Sequence, residues 1–140
     1  MTKSKDQIYM EMALKWGENS KCTRKKVGAL IVKNNNIISD GYNGMPHGFN
    51  DNECEYICDT TLLTNDKVLH AESNAITKLT KSTVSGEDST LYITLSPCFE
   101  CAKLIIQSGI KEVIYLEPYR KLRGLRLLKE AKIKYNRLTL

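Results

Sequence analysis

The sequence predicts an α/β fold over residues 1–140 as one domain: a mixed five-stranded sheet with helices on both faces. Three observations carry this. An apolar strand–turn–strand pattern before residue 43 reads as a hairpin, which is antiparallel by construction. After residue 88, strand and helix patterns alternate, and that alternation favours right-handed crossovers and parallel pairing. The length, 140 residues, suits one core, because a domain near this size hides roughly 68–70% of the surface its unfolded chain exposes.

The elements follow in order. Residues 4–19 place Ile8, Met12 and Trp16 at helical spacing, with Met10, Ala13 and Leu14 alongside, so a first helix is expected there. In "VGALIVKNNNIISDGYN", Val27–Lys33 is one strand, the asparagines are the turn and Ile37–Tyr42 is the second strand. Residues 43–67 are polar, carry Gly44, Pro46 and Gly48, and read as a long loop of the kind that is functional or ordered by a ligand. His70–Lys81 reads as a helix. "STLYITL" (89–95) is a strand rich in β-branched and aromatic residues. Cys98–Ser108 is a helix stopped by Gly109. "KEVIYLE" (111–117) is a strand, Arg120–Ala131 an amphipathic helix with Leu122, Leu125 and Leu128 inward, and Lys132–Leu138 the last strand.

Composition narrows the function classes. Hydrophobic residues make up 41% and charged residues 26%, an ordinary soluble balance. The net charge of +5 suits an anionic ligand such as a nucleotide, or simply a solvated basic surface, and falls short of the clustered basic face that duplex DNA needs. Aromatics at 7% give few stacking platforms for a single strand. No apolar run reaches the ~18 residues of a membrane span. "MTKSKDQIYM" lacks the apolar core of a secretory signal, so the expectation is an intracellular, cytoplasmic protein. The cysteine count is odd, five, and two sit in C-x-x-C; in a reducing compartment that pair reads as metal-binding or redox-active.

Two fragments carry chemistry. "HAESNAI" puts His70 two residues before Glu72, and "SPCFECAKLI" puts Cys98 and Cys101 three residues apart after Pro97. At i and i+3 two cysteines share one face of a helix start, where the backbone dipole favours thiolates. Zinc takes sulfur and imidazole donors in tetrahedral sets, so His70 is the natural third ligand. Three protein ligands leave one position open, which marks a catalytic rather than a structural zinc. Water there becomes acidic near neutral pH, and Glu72 is placed to carry its proton without itself being a ligand. Either fragment alone is weak: a C-x-x-C also serves redox pairs, structural zinc or plain burial. Together, H-x-E and P-C-x-x-C form the signature of zinc-dependent deaminases of nucleobases. A closed structural site would need a fourth ligand, for which His47, Cys54 and Cys58 are the candidates.

With these residues in place, the sequence resembles the deoxycytidylate deaminases of the cytidine deaminase superfamily. "CTRKKVGALIV", "DGYNGMPHG", "HAESNAI", "LYITLSPCFECAKLIIQSGIKEVIY" and "EPY" carry the resemblance nearly end to end. It implies a three-layer α/β/α cytidine deaminase-like fold and zinc held by His70, Cys98 and Cys101. It also implies Glu72 as proton shuttle and hydrolysis of dCMP to dUMP and ammonia, the route to thymidylate. Asn43 matches the asparagine that contacts the nucleotide sugar, although beside Gly44 it is also a good turn residue. Tyr119 falls where relatives contact substrate, or packs at a strand end. The backbone at Ala71 and Ser96 is expected to hold the base.

The resemblance further implies a homo-oligomer, a hexamer in many relatives, activated by dCTP and inhibited by dTTP with Mg2+ on the triphosphate. Arg24, Lys25, Lys26, Tyr42 and Gly44 are the candidate effector contacts, the cations also reading as a solvated run before a strand. Nucleic-acid and membrane partners are not expected. Some viral relatives hold a second zinc on two cysteines and two histidines; Cys22 and Cys54 match the cysteines, but "DTTLLTNDKVL" has no histidine, so one zinc is expected. A site on Cys22, Cys54 and Cys58 is the remote alternative. Lys81 stands near an arginine of one viral branch, keeping the charge without the fork. The rival readings are the same chemistry on dCTP or another cytosine compound, and a zinc-stabilised binding module without catalysis.

Overall fold

A computed structural model describes residues 2–140. The order is α1 (Lys5–Gly17), β1 (Gly28–Lys33), β2 (Asn36–Tyr42), a 3₁₀ turn (Asp51–Glu53), β3 (Glu55–Cys58), β4 (Thr61–Thr64), α2 (Ala71–Leu79), β5 (Thr90–Leu95), α3 (Phe99–Gln107), β6 (Glu112–Glu117), α4 (Arg123–Glu130) and β7 (Lys134–Arg137). The main sheet runs β2-β1-β5-β6-β7. β1 is antiparallel to both β2 and β5, while β5, β6 and β7 are parallel. This is the expected mixed five-stranded sheet of an α/β protein.

Side-chain alternation along the central strands builds two cores. Ala29 and Ile31 of β1, Leu91 and Ile93 of β5, and Val113 and Tyr115 of β6 face α2, α3 and α4. Leu30, Val32, Tyr92 and Ile114, from the same strands, face α1. Residues of period 2 therefore supply both faces, which is why these strands read as near-continuous apolar runs. The β1–β2 turn uses Asn34 and Asn35 at φ 51° and 62°, the paired left-handed conformation a tight hairpin requires.

The first helix forms where expected, capped by Ser4, whose hydroxyl accepts from the Gln7 amide while the Gln7 side chain accepts from the Ser4 amide. Its inward face differs from the one the large apolar residues suggest. Met10, Ala13 and Gly17 are buried, and Ile8, Met12, Leu14 and Trp16 stay between 39% and 45% exposed. Close approach decides this. A Cβ on Gly28 of β1 would collide with the Ala13 carbonyl oxygen, so the helix meets the strand through its small residues Ala13 and Gly17, with Met10 filling the core beside them.

Two further expectations are corrected. Residues 43–67 are not a bare loop: they hold the 3₁₀ turn and a β3–β4 arm turned by Asp59 and Thr60 at φ 48° and 68°. Both faces of the arm meet solvent, with Ile57 74% exposed, so no half-buried alternation marks it. Leu122 does not point inward; it is 45% exposed at the N-cap of α4, and Leu125 and Leu128 are buried in the core with Leu127 packed partly against it. The helix starts late because the preceding segment is drawn to the sheet, where the Tyr119 amide donates to Ser96 Oγ at 2.7 Å.

Candidate metal centre and its cavity

The site lies beyond the carboxyl end of β5, where the starts of α2 and α3 meet. This is where open α/β sheets place their ligands. His70 is the N-cap of α2 and Cys98 the N-cap of α3. The His70 side chain makes no cap bond, while Cys98 Sγ accepts from the Cys101 amide at 3.4 Å, and the two cap side chains approach each other. Cys98 Sγ lies 3.5 Å and Cys101 Sγ 3.3 Å from His70 Nδ1. Zn–S and Zn–N bonds at a tetrahedral angle separate sulfur and nitrogen by roughly 3.6 Å, so the donor set fits zinc. Among the described residues no fourth ligand joins this group: all donor atoms of the set, within 4.8 Å of one another, belong to His70, Cys98 and Cys101. His47, Cys54 and Cys58 lie outside it. Ser73 Oγ sits 3.3 Å from Cys101 Sγ, a polar contact behind the ligand.

The electrostatics match a site built to receive a cation. The Cys98 thiol is pulled down to about 4, first by the hydrogen bond from Cys101 and then by the one from His70, against the cost of burial. Cys101 is pushed up by holding that shared proton and by burial. His70 is raised, chiefly by its bond to Cys98. Glu72 is buried beside the cluster, and that burial pushes its carboxyl up to about 7. A cation replacing these shared protons would satisfy all four groups.

His70, Cys98 and Glu72 line a cavity of about 450 Å³. Asn43, Ala71, Ser96 and Tyr119 also line it, so the expected substrate residues are brought together around one space. Asn43 does more than line the wall. Its Oδ1 accepts from the Val27 amide at 2.9 Å and its Nδ2 donates to the Lys25 carbonyl at 2.8 Å. One N–H and one lone pair of the amide remain for a ligand. The Ser96 amide donates to the Glu117 carbonyl at 2.8 Å, which ties this cavity-lining residue to the end of β6.

The five effector candidates do not form one group. Arg24 and Lys25 line the metal cavity, while Lys26 Nζ donates to the Ser20 carbonyl at 2.6 Å. Tyr42 and Gly44 line a separate space of about 780 Å³, together with Lys78 and Lys81. Sequence reasoning missed Arg120, Glu55 and Thr64, which also line the metal cavity. It also missed the disulfide between Cys22 and Cys54, which closes the root of the β3–β4 arm onto the segment before β1. Cys58, exposed on the arm, stands apart from that pair.

Gly124 of α4 sets how α3 begins. A Cβ there would strike the Pro97 carbonyl oxygen and lie 2.8 Å from the Cys98 carbonyl oxygen. Gly124→Ala is therefore expected to shift Cys98 and weaken zinc affinity by about 10–100-fold, the range for disturbing groups behind a metal ligand. Competition against a chromogenic chelator measures this, and wild-type affinity in the variant would refute it.

A three-donor metal centre opening two helices, with a buried carboxyl beside it on an α/β/α sheet, defines a zinc-deaminase type of site. Comparison with known proteins gives the family. The profile described as "Cytidine and deoxycytidylate deaminase zinc-binding region" matches residues 3–117. The deoxycytidylate deaminase of Enterobacteria phage T4 is 35% identical over 155 aligned residues, spanning 84% of this chain and 80% of its own length. That of Homo sapiens is 41% identical over 114 residues, 79% of this chain but 63% of its own length. The crystal structure of dCMP deaminase from the cyanophage S-TIM5, in complex with dCMP and dUMP, superposes with a TM-score of 0.90 at 40% identity, covering 99% of both chains. The chain belongs to the cytidine and deoxycytidylate deaminase family.

Proposed function

We propose that this protein hydrolyses dCMP to dUMP and ammonia, with one zinc held by His70, Cys98 and Cys101. One observation carries the reading: a buried carboxyl, Glu72, shares the cavity with a three-donor cluster that has no fourth ligand among the described residues. The cyanophage relative, crystallised with dCMP and dUMP, supports the choice of base and sugar phosphate. When bound, zinc supplies a water acidic enough to attack C4 of the cytosine ring near neutral pH. Glu72 would carry one proton of the attacking water to ring N3 and the second, from the new C4 hydroxyl, to the amino group, which leaves as ammonia as C4 becomes a carbonyl. A buried carboxyl placed beside the attacking water can serve both as acceptor and as donor. Asn43 orients the sugar through its free N–H, and the backbone at Ala71 and Ser96 positions the base.

The same reading extends to regulation. dCTP as activator and dTTP as inhibitor, carried with Mg2+, would occupy the second space, where Lys81 supplies positive charge beside Tyr42 and Gly44 and Lys78 is paired with Asp40 at 2.6 Å. A hexamer in the cytoplasm, supplying dUMP for thymidylate synthesis, completes the proposal. The test is ammonia release from dCMP, dCTP, cytidine and single-stranded DNA, each with and without dCTP and dTTP. The highest kcat/KM is expected for dCMP. A preference for dCTP or cytidine would reassign the substrate, and no ammonia from any of them would leave a zinc-stabilised binding module.

A further inference from the structure

We propose that the exposed side of α4, with the turn that follows it, is a docking surface for single-stranded nucleic acid. It is separate from the metal cavity and grips the phosphate backbone, so it does not depend on the reaction assigned above. The chain's net charge of +5 hides where the charge sits. Residues 121–137 hold seven of the 21 basic residues and one of the 16 acidic ones, which makes this stretch +6 and leaves −1 for all the rest. Ion pairing does not cancel it. Among the described residues, Lys134 alone of the seven has a carboxylate within 4.0 Å, Glu112 at 3.7 Å, while Arg137 Nε donates to the Leu116 carbonyl. Lys121, Arg123, Arg126, Lys129 and Lys132 have no carboxylate at that range among the described residues.

The fold leaves these cations outward. Leu125 and Leu128 sink one side of α4 into the core and Gly124 lies against the Pro97 carbonyl, so Arg123, Arg126 and Lys129 stay exposed. They recur every three residues, and at 1.5 Å of rise per residue they span about 9 Å. Lys132 carries the row past the helix end, in a left-handed turn at φ 62° before β7. Arg123 is held from behind as well: its guanidinium carbon lies 4.2 Å from the Phe99 ring centroid. A row of unpaired cations on a rigid element suits a polyphosphate chain, whose condensed counterions it releases. An acidic peptide would meet the same charges, but only a nucleotide strand also offers bases to lie on the guanidinium that Phe99 backs. A membrane surface fits less well, because the apolar side of α4 is buried in the core and nothing remains to enter the acyl layer. Aromatics are only 7% of the chain, so phosphate contacts rather than base stacking carry the binding.

The experiment follows fluorescence anisotropy of labelled oligothymidylate and oligouridylate, neither of which holds a cytosine, with the zinc-loaded protein at rising salt. Wild type should bind both, with an affinity that falls steeply as salt rises. Arg126→Gln combined with Lys129→Gln should weaken binding about tenfold or more at low salt and flatten the logarithmic salt slope by about 1.4, near 0.7 for each lost phosphate contact. Lys3→Gln combined with Lys15→Gln removes the same charge from α1 and its cap, on the other face of the sheet, and should leave binding near wild type. All four positions are exposed, so both pairs keep the cores intact. Wild type that binds neither strand at low salt overturns the proposal, as does binding that survives the α4 pair. An equal loss in the α1 pair would make the effect one of net charge and overturns it too. Displacement of the strand by excess dUMP would put it in the metal cavity, and displacement by polyglutamate at equal charge would make the partner an acidic protein; either result overturns the assignment.

Discussion

Glu72→Gln is expected to keep one zinc per chain and to lose kcat by about 10²–10⁴-fold, the span that proton transfer by a placed side chain contributes. The two halves have separate causes. Zinc stays because Glu72 is not among the donors grouped with His70, Cys98 and Cys101. Turnover falls because glutamine has nearly the shape of glutamate but cannot accept the water's proton or return it to the ring. Its burial makes replacement by bulk water slow to help: the side chain is 4% exposed, so no solvent base reaches the same place readily. Metal analysis and ammonia release in the same preparation measure both halves. Activity near wild type would remove Glu72 from the mechanism. Loss of zinc with activity would make it a ligand and close the coordination position on which the proposed reaction depends.

What could be read from the sequence follows what burial imprints on it. β1, β5 and β6 are legible because both faces of each are covered, and the chain shows this as apolar runs. The candidate donor cluster is legible because helix geometry fixes its spacing: residues 98 and 101 share a helix start, and residue 70 caps the next one in space. The β3–β4 arm left no pattern, since exposed strands carry no alternation. Helix α1 shows a different failure. Its large apolar residues mark a face, but the sheet selects the opposite one, where Ala13 and Gly17 allow contact with Gly28. Arg120 sits in a basic run with no spacing signal, and only the fold brings it to the cavity that Arg24 lines. Nor does sequence distance hint at the Cys22–Cys54 pairing across 32 residues. Local periodicity is readable; approach between distant segments has to be observed.

Stripping zinc is expected to abolish ammonia release while leaving the protein folded with a cooperative melt, and this separates a catalytic metal from a structural one. The cores explain the second half. The buried cluster beneath α2, α3 and α4 and the one beneath α1 are built from strand and helix side chains that do not need the ion. The metal-free protein should then reveal Glu72 through pH. Burial raises its carboxyl from 4.5 to about 7 in the folded state. Between those values the folded chain holds a proton the unfolded chain has released, so this group's contribution makes stability fall as pH rises. Cys98, lowered to about 4, acts in the opposite sense up to its ordinary thiol range, and His70, raised, acts in the same sense as Glu72, so the comparison must be with Glu72→Gln, in which the cysteines and the histidine are retained. Relative to wild type, metal-free Glu72→Gln should gain stability from pH 4.5 upward and level off above pH 7, by roughly 3 kcal/mol from the gap between the two values. Zinc reloading should narrow that difference, because a cation beside the carboxylate favours its charged form. Urea melts at pH 5 and pH 8, with and without zinc, measure all of this. A chain that unfolds on chelation would make the metal structural. A variant whose advantage does not grow with pH would place Glu72 in a wetter setting than its burial implies.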